Sequence, residues 1–227
     1  MSQIFTILFD LDGTLVDTAP DLMRAHNFVM NKFGYPTKST EEIRNLVGQG
    51  AGVMLGRSIW GQAKKEFSKV NDEKIKKEMV SEFVDFYGKN ILHESTLLNG
   101  VKEFLKWCKS QNISMAVCTN KTEYLAIDLL KKIGIYDYFE YVAGSNTFDY
   151  CKPDPRHLTS VIEILNGDLN KTLMIGDSET DANAAKAAEI PMILLEDGYT
   201  EKNIDEIYHN HLIKDLVGIE KIVAQYL

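Results

Sequence analysis

In "ILFDLDGTLVDT", Ile7 to Thr18, two carboxylates stand two residues apart, Asp10 and Asp12, directly behind an apolar run that reads as a buried strand. Placed there, each opposes ionisation of the other. Three later stretches carry side chains able to do chemistry beside them. "CTNK" ends a second apolar run with a hydroxyl, an amide and an ammonium at Thr119, Asn120 and Lys121; "YCKPDP" sets Lys152 before a proline-restrained segment; "MIGDSETD" brings Asp177 and Asp181. Carboxylates gathered at one point raise one another's pKa unless positive charge sits among them, and an all-oxygen donor set favours a hard divalent cation such as Mg²⁺. The repulsion between Asp10 and Asp12 is what makes a metal site.

Such convergence needs strands whose carboxyl ends lie side by side. Short β-rich runs at Ile4 to Phe9, Ser114 to Cys118, Tyr141 to Ala143, Thr172 to Ile175 and Met192 to Leu195 alternate with amphipathic helical stretches from Val101, Glu123, Pro155, Thr180 and Ile219. The alternation predicts an α/β fold, and strands apolar throughout predict a Rossmann-like parallel sheet with helices on both faces. Ligands of such sheets bind beyond the carboxyl ends of the strands. Between 17 and 92 the pattern is wholly helical, in "APDLMRAHNFVMNKF", "STEEIRNLVGQGAGVMLGRS" and "NDEKIKKEMVSEFVDFYGKNIL". The expected organisation is a catalytic core of 1–16 plus 93–227 with an inserted helical cap at 17–92. Within the cap, "GQAKKEFSKVNDEKIKKE" reads as a solvated helix face and turn.

Each residue also has a structural reading. Asp-Gly favours turns, Thr119 can cap the helix after it, and Ser178 with Asp181 has capping spacing. Asp154 before Pro155 reads as a helix start, with Asp at the N-cap and Pro at N1. His26, His93, His157, His209 and His211 lack metal spacing and read as packing or surface residues.

Composition sets the outer limits. A chain of 227 residues with 44% hydrophobic and 26% charged residues can bury a sizeable core, so disorder is not expected. Its net charge of −8 argues against nucleic acid as the main partner. No run approaches the roughly 20 apolar residues of a spanning helix, and Cys108, Cys118 and Cys151 form neither zinc spacing nor a disulfide framework. No membrane partner and a cytoplasmic location are expected; monomer and homodimer both stay open.

Taken in order, DxDGT (Asp10 to Thr14), the strand ending in Thr119, Lys152 and GDxxxD (Gly176 to Asp181) resemble the motif series of haloacid-dehalogenase-superfamily phosphohydrolases. The likeness covers essentially the whole chain, helical cap included. It implies Asp10 as nucleophile, forming an aspartyl-phosphate, and Asp12 as general acid and then base. It implies Mg²⁺ held by Asp10, the Asp12 carbonyl and Asp177, with Asp181 either a ligand through water or an orienting group. Thr119 and the backbone N–H groups of Gly13 and Asn120 would cradle the phosphoryl oxygens, and Lys152 would offset their charge while tying down Asp10. Dehalogenases of the superfamily lack an acid at the second Asp position, so Asp12 argues for phosphoryl transfer.

The core handles only the phosphate, so the cap must choose the substrate. "IRNLVGQGAGVMLGRS" is similar to the cap segment of phosphoglycolate phosphatases. Arg44 there could pair with a substrate carboxylate, and Gly48, Gly50 and Gly52 could allow close approach of a small ligand or only make the turn. The resemblance implies a phosphomonoester hydrolase acting on a small phosphorylated metabolite, first of all 2-phosphoglycolate. Alternatives are a sugar-phosphate mutase of the β-phosphoglucomutase type, a pyrophosphatase or nucleotidase of the same superfamily, and a noncatalytic or signalling phosphate-binding module. In "AKAAE", Glu189 stands where many such enzymes have Gly, a change expected to alter only a helix end.

Overall fold

The computed structural model describes residues 5–60 and 73–227. The chain opens with β1 (Thr6–Phe9), then the two-residue β2 (Val16–Asp17), and enters α1 (Ala19–Phe33), α2 (Thr40–Arg44), α3 (Ala51–Trp60) and α4 (Glu73–Lys89). It returns through β3 (Thr96–Leu97), α5 (Val101–Ser110), β4 (Ser114–Cys118), α6 (Glu123–Ile133), β5 (Tyr141–Ala143) and α7 (Arg156–Ile164). Last come β6 (Thr172–Gly176), α8 (Glu179–Ala187), β7 (Met192–Leu195), β8 (His211–Ile213) and the short α9 (Glu220–Val223).

Six strands make one parallel sheet in the order β5-β4-β1-β6-β7-β8. Alternate β1 side chains point to opposite faces. Ile7 and Phe9 pack on the side of Phe104, Leu105, Leu125 and Leu129 from α5 and α6, whereas Leu8 packs on the side of Leu158, Val161, Ala182 and Ala185 from α7 and α8. Two covered faces explain why the strand reads "TILF" with no polar alternation. β1 pairs with β4 on one side and β6 on the other. The carboxyl ends of these three neighbours therefore open onto one crevice.

The helical insertion leaves and re-enters the core through an antiparallel stem, with Val16 opposite Leu97 and Asp17 opposite Thr96. In α1, Pro stands in the first turn and Gly34 ends the helix at φ 75°. Asp21 in the first turn of α1 reaches across to the returning chain. Its Oδ2 accepts from the backbone N–H of His93 (2.9 Å), Glu94 (3.0 Å) and Ser95 (2.9 Å) and from the Ser95 hydroxyl (2.7 Å). Burial would raise the Asp21 pKa, but these donors lower it on balance.

Several local details differ from expectation. Ile4 lies outside the described residues, as do the first twelve residues of "GQAKKEFSKVNDEKIKKE". The stem strands and β8 were not expected. Pro155 occupies the N-cap of α7, one residue later than the reading that gave that place to Asp154. Asp154 still serves the helix start, accepting from the Arg156 N–H at 2.9 Å. Glu189 follows α8 in the left-handed region, at φ 59°.

Candidate active site

Asp10 follows β1 directly, its N–H continuing the ladder to the Ile175 carbonyl at 2.9 Å. Asp177 follows β6, and Asp181 lies in the first turn of α8. One carboxylate oxygen from each of the three falls within 4.8 Å of the others, all buried. Lys152 Nζ enters this group 2.8 Å from Asp10 Oδ1 and 2.5 Å from Asp181 Oδ1. The contact to Asp10 is an ion pair without hydrogen-bond alignment, and Oδ1 has no directed partner among the described residues. One ammonium against three carboxylates leaves two negative charges, which a divalent cation balances.

The pKa directions say the same. Burial pushes the Asp10 carboxyl from 3.8 to about 7; Lys152 pulls it down, while Asp181 and Asp12 add to the rise. Burial, Asp181 and Asp10 hold Asp177 well above the usual carboxylate range. For Lys152, burial opposes the charge but Asp10 and Asp181 outweigh it, so the ammonium persists. The oxygen donors, the net charge and the orphaned Asp10 oxygen all fit a hard divalent cation.

Neighbouring glycines let Asp177 into place. A Cβ on Gly13, at φ +83°, would lie 2.0 Å from Asp177 Oδ2, and one on Gly198 would lie 1.9 Å from the Asp177 carbonyl oxygen. Oδ2 accepts the Tyr199 N–H at 2.7 Å, and Oδ1 has only a long 3.4 Å contact from the Thr14 hydroxyl. Asp181 is more fully engaged. Its Oδ2 accepts from the N–H of Asp177 (3.2 Å), the N–H of Ser178 (3.1 Å) and the Ser178 hydroxyl (2.8 Å), while Oδ1 holds Lys152. Asp181 thus ties the turn after β6 to Lys152.

Asp12 stands apart from this cluster, with Oδ1 accepting the Thr18 hydroxyl at 2.7 Å. Lys121 Nζ lies 2.8 Å from Oδ1 and 3.0 Å from Oδ2. The sequence placed Lys121 in the crevice through "CTNK" but gave it no task. Thr119, 1% exposed, accepts the Lys121 N–H at 3.2 Å and lines the same cavity. The Asn120 side chain donates to the carbonyls of Gly48 (3.0 Å) and Lys152 (2.8 Å), so it ties cap to core.

Two expectations change. The Gly13 N–H donates to the Val16 carbonyl at 2.9 Å, closing the turn after β1, and is spent. The backbone N–H groups of Leu11, Asp12 and Asn120 instead find no acceptor among the described residues. Arg44 is not among the residues lining the cavity. Its guanidinium pairs with Asp17 Oδ2 at 2.7 Å and sits 5.4 Å from the Tyr199 ring centroid. Tyr199 in turn donates its hydroxyl to Asp17 and accepts the N–H groups of Thr18 (2.9 Å) and Ala19 (3.0 Å). Nothing local in the sequence marks Tyr199, which is 182 residues from Asp17.

Between core and cap lies a cavity of about 190 Å³. Its floor is Asp10, Asp12, Thr119, Asn120, Lys121 and Asp177, and its roof is Gly48, Gly50, Gly52, Met54, Val80, Phe83 and Tyr87. Gly48 (φ +108°) and Gly50 (φ +84°) both need the left-handed region, so the turn reading holds for them even as they line the cavity.

Residues 7–195 match the family described as haloacid dehalogenase-like hydrolase. A phosphoglycolate phosphatase of Mesorhizobium japonicum is 35% identical over 97% of this chain and 95% of its own. One from Caulobacter vibrioides is also 35% identical, over 95% of this chain and 89% of its own. Among solved structures, a predicted phosphoglycolate phosphatase from Haemophilus somnus superposes with a TM-score of 0.88 at 30% identity, covering 98% of this chain and 99% of that one. A predicted phosphatase from Clostridium acetobutylicum, 20% identical with a TM-score of 0.82, shares the fold over 98% of this chain and 99% of its own.

Proposed function

We propose, for a chain that belongs to the haloacid dehalogenase-like hydrolases, Mg²⁺-dependent hydrolysis of a small phosphomonoester through a phosphoryl-Asp10 intermediate, with 2-phosphoglycolate as substrate. The observation that carries this reading is the division of labour between two carboxylates on one strand end. Asp10 faces the buried acid cluster and Lys152, whereas Asp12 is held by Thr18 and Lys121 at the cavity.

In the first half-reaction a carboxylate oxygen of Asp10 bonds to phosphorus as the phosphorus–ester oxygen bond breaks, and Asp12 gives its proton to the departing alkoxide. In the second, Asp12 takes a proton from water, whose oxygen bonds to phosphorus as the bond to Asp10 breaks. Inorganic phosphate leaves and Asp10 is regenerated. Thr119 and the unspent N–H groups of Asp12 and Asn120, residues that line the cavity, would donate to phosphoryl oxygens. Lys152 holds Asp10 in place throughout.

Asp10, Asp177 and the Asp12 carbonyl would hold the Mg²⁺, which when bound supplies positive charge to the phosphoryl group. Both Asp181 oxygens already have partners, so its part is to orient Lys152 and the turn after β6. Relatives named phosphoglycolate phosphatase at 35% identity support the substrate, as does a cavity of only about 190 Å³. A mutase must also bind a second phosphate in the cap. Among the described residues, no cap arginine or lysine lines the cavity.

The test is kcat/KM for phosphate release in Mg²⁺ from 2-phosphoglycolate beside sugar phosphates, nucleotides and pyrophosphate. A preference for 2-phosphoglycolate is expected, and Asp10→Asn should lower it by more than about 10³-fold. Retained turnover in Asp10→Asn would remove the nucleophile. A preference for another ester would replace the substrate and keep the chemistry.

A further inference from the structure

Two polar groups in the cavity are left over by the phosphate chemistry. Lys121 is 9% exposed, and its Nζ lies 2.8 and 3.0 Å from the two Asp12 carboxylate oxygens and over the face of the Tyr87 ring. Tyr87, from α4, is 1% exposed, and its phenol oxygen has no hydrogen-bond partner among the described residues. Its ring centroid lies 4.5 Å from the Lys121 Nζ, so the two groups stand together. Burial, with the charges of Asp12 and Asp21, keeps the phenol protonated and therefore a donor. A buried hydroxyl without a partner is destabilising, a penalty that a ligand can relieve.

The rest of the roof sharpens the choice of ligand. Leu22, Val80, Phe83 and Leu125 are apolar, and among the described lining residues Lys121 is the one cationic side chain. A second negative charge on a substrate would be desolvated without compensation anywhere on that wall except beside Lys121. Position agrees with charge. The ester oxygen must lie at Asp12 to take its proton, and Lys121 Nζ is 2.8 Å from the same carboxylate. A group borne on the carbon next to the ester oxygen therefore reaches the ammonium with no further linker.

We propose that Lys121 and Tyr87 form a carboxylate-binding subsite for the leaving group, selecting short phosphomonoesters whose carboxylate is attached to the carbon bearing the ester oxygen. The inference rests on the phosphatase reading and deepens it. It gives to a core lysine and a cap tyrosine the task expected of Arg44, whose guanidinium is taken by Asp17. Because one partner comes from each side, the carboxylate also bridges cap and core.

The test compares kcat and KM for 2-phosphoglycolate and for 2-hydroxyethyl phosphate, which replaces the carboxylate with a hydroxymethyl group at nearly the same length. Wild-type enzyme should prefer phosphoglycolate. Tyr87→Phe, which removes one oxygen from a buried ring, should lose about 5- to 10-fold on phosphoglycolate, chiefly in KM, with less than about 2-fold change on the neutral ester. Lys121→Met should impair both esters through Asp12 and lose roughly a further 10- to 100-fold on phosphoglycolate. Should Lys121→Met be inert on both, Tyr87→Phe decides. Equal proportional losses on the two esters in Tyr87→Phe, or a wild type indifferent between them, would overturn the subsite and leave the phosphatase standing. Protein inert on every phosphomonoester would remove the phosphatase reading and the subsite with it.

Discussion

At the level of single residues, the acid cluster gathers buried like charge that a divalent cation would relieve. Asp10, pushed by burial from 3.8 to about 7, binds a proton in the folded protein across a pH range where the unfolded chain has released it. An acid with a raised folded pKa favours folding less as pH climbs through that window. His157, whose pKa burial and Lys152 lower to about 4, and His26, lowered chiefly by burial, act in the opposite sense below 6.5. The contribution of Asp10 is therefore best isolated by substitution. Without metal, Asp10→Asn should melt higher than wild type at pH 8, by on the order of 5 °C, with the advantage shrinking towards pH 5. Saturating Mg²⁺ should stabilise wild type far more than the variant. An advantage independent of pH, or equal stabilisation by Mg²⁺, would contradict the charge balance drawn for the site. Asp10, Thr119, Lys152 and Asp177 were legible in the sequence because each lies at or near a strand end or a proline-marked turn. The Lys121–Asp12 pair spans 109 residues and the Tyr199–Asp17 pair 182. No local period encodes either contact, although "CTNK" did deliver Lys121 to the right crevice.

At the level of elements, apolar runs disclosed five of the six strands of the sheet, the four central ones most plainly because burial on both faces leaves a continuous pattern. β8 escaped because it is an edge strand of three residues with two half-buried positions, and the stem because two residues carry no period. Asp21 looks like an ordinary first-turn helix acid. Its hydrogen bonds to 93–95, more than 70 residues away, make it the clasp of the insertion. Glu189 was legible in place but not in conformation. At φ 59° it holds the position after the α8 C-cap that glycine occupies at low cost, and its Cβ opposes the left-handed backbone. Glycine there relieves that opposition but gives back entropy in the unfolded chain. Glu189→Gly should therefore stabilise the protein by about 0.5–1 kcal/mol with kcat unchanged, measured by urea unfolding at constant m-value. A destabilised variant would mean that the Glu189 side chain does more for the helix end than its geometry indicates.

For the whole molecule, the proposed chemistry depends on two parts that share one apolar cluster and are also tied by polar contacts. In the proposed reaction the core handles phosphate and metal and the cap roofs the leaving group, and polar ties between the two include the Asn120 amide on the Gly48 carbonyl, the Tyr199 hydroxyl on Asp17, and Arg57 on Glu201 at 2.6 Å. A roof that admits substrate must release, and partly exposed contacts suit that, because each contributes little. Arg57 and Glu201 side chains are 21% and 29% exposed, so their pair is worth about 0.5–1 kcal/mol. Neither residue lines the cavity, so an effect on KM would act either through a balance between open and closed cap or through long-range steering of the substrate. Arg57→Met should raise KM for 2-phosphoglycolate by about 2- to 5-fold, the factor that such an energy sets, while the melting temperature moves by no more than about 3 °C. Glu201→Gln should do the same. If the pair acts as a unit, the double variant should match either single change instead of multiplying them. Multiplicative effects on KM would show two independent surface charges steering an anionic substrate, and a steep ionic-strength dependence of kcat/KM in wild type would then be expected. No change in KM in either single variant would mean that Asn120 and Tyr199 suffice to hold the roof.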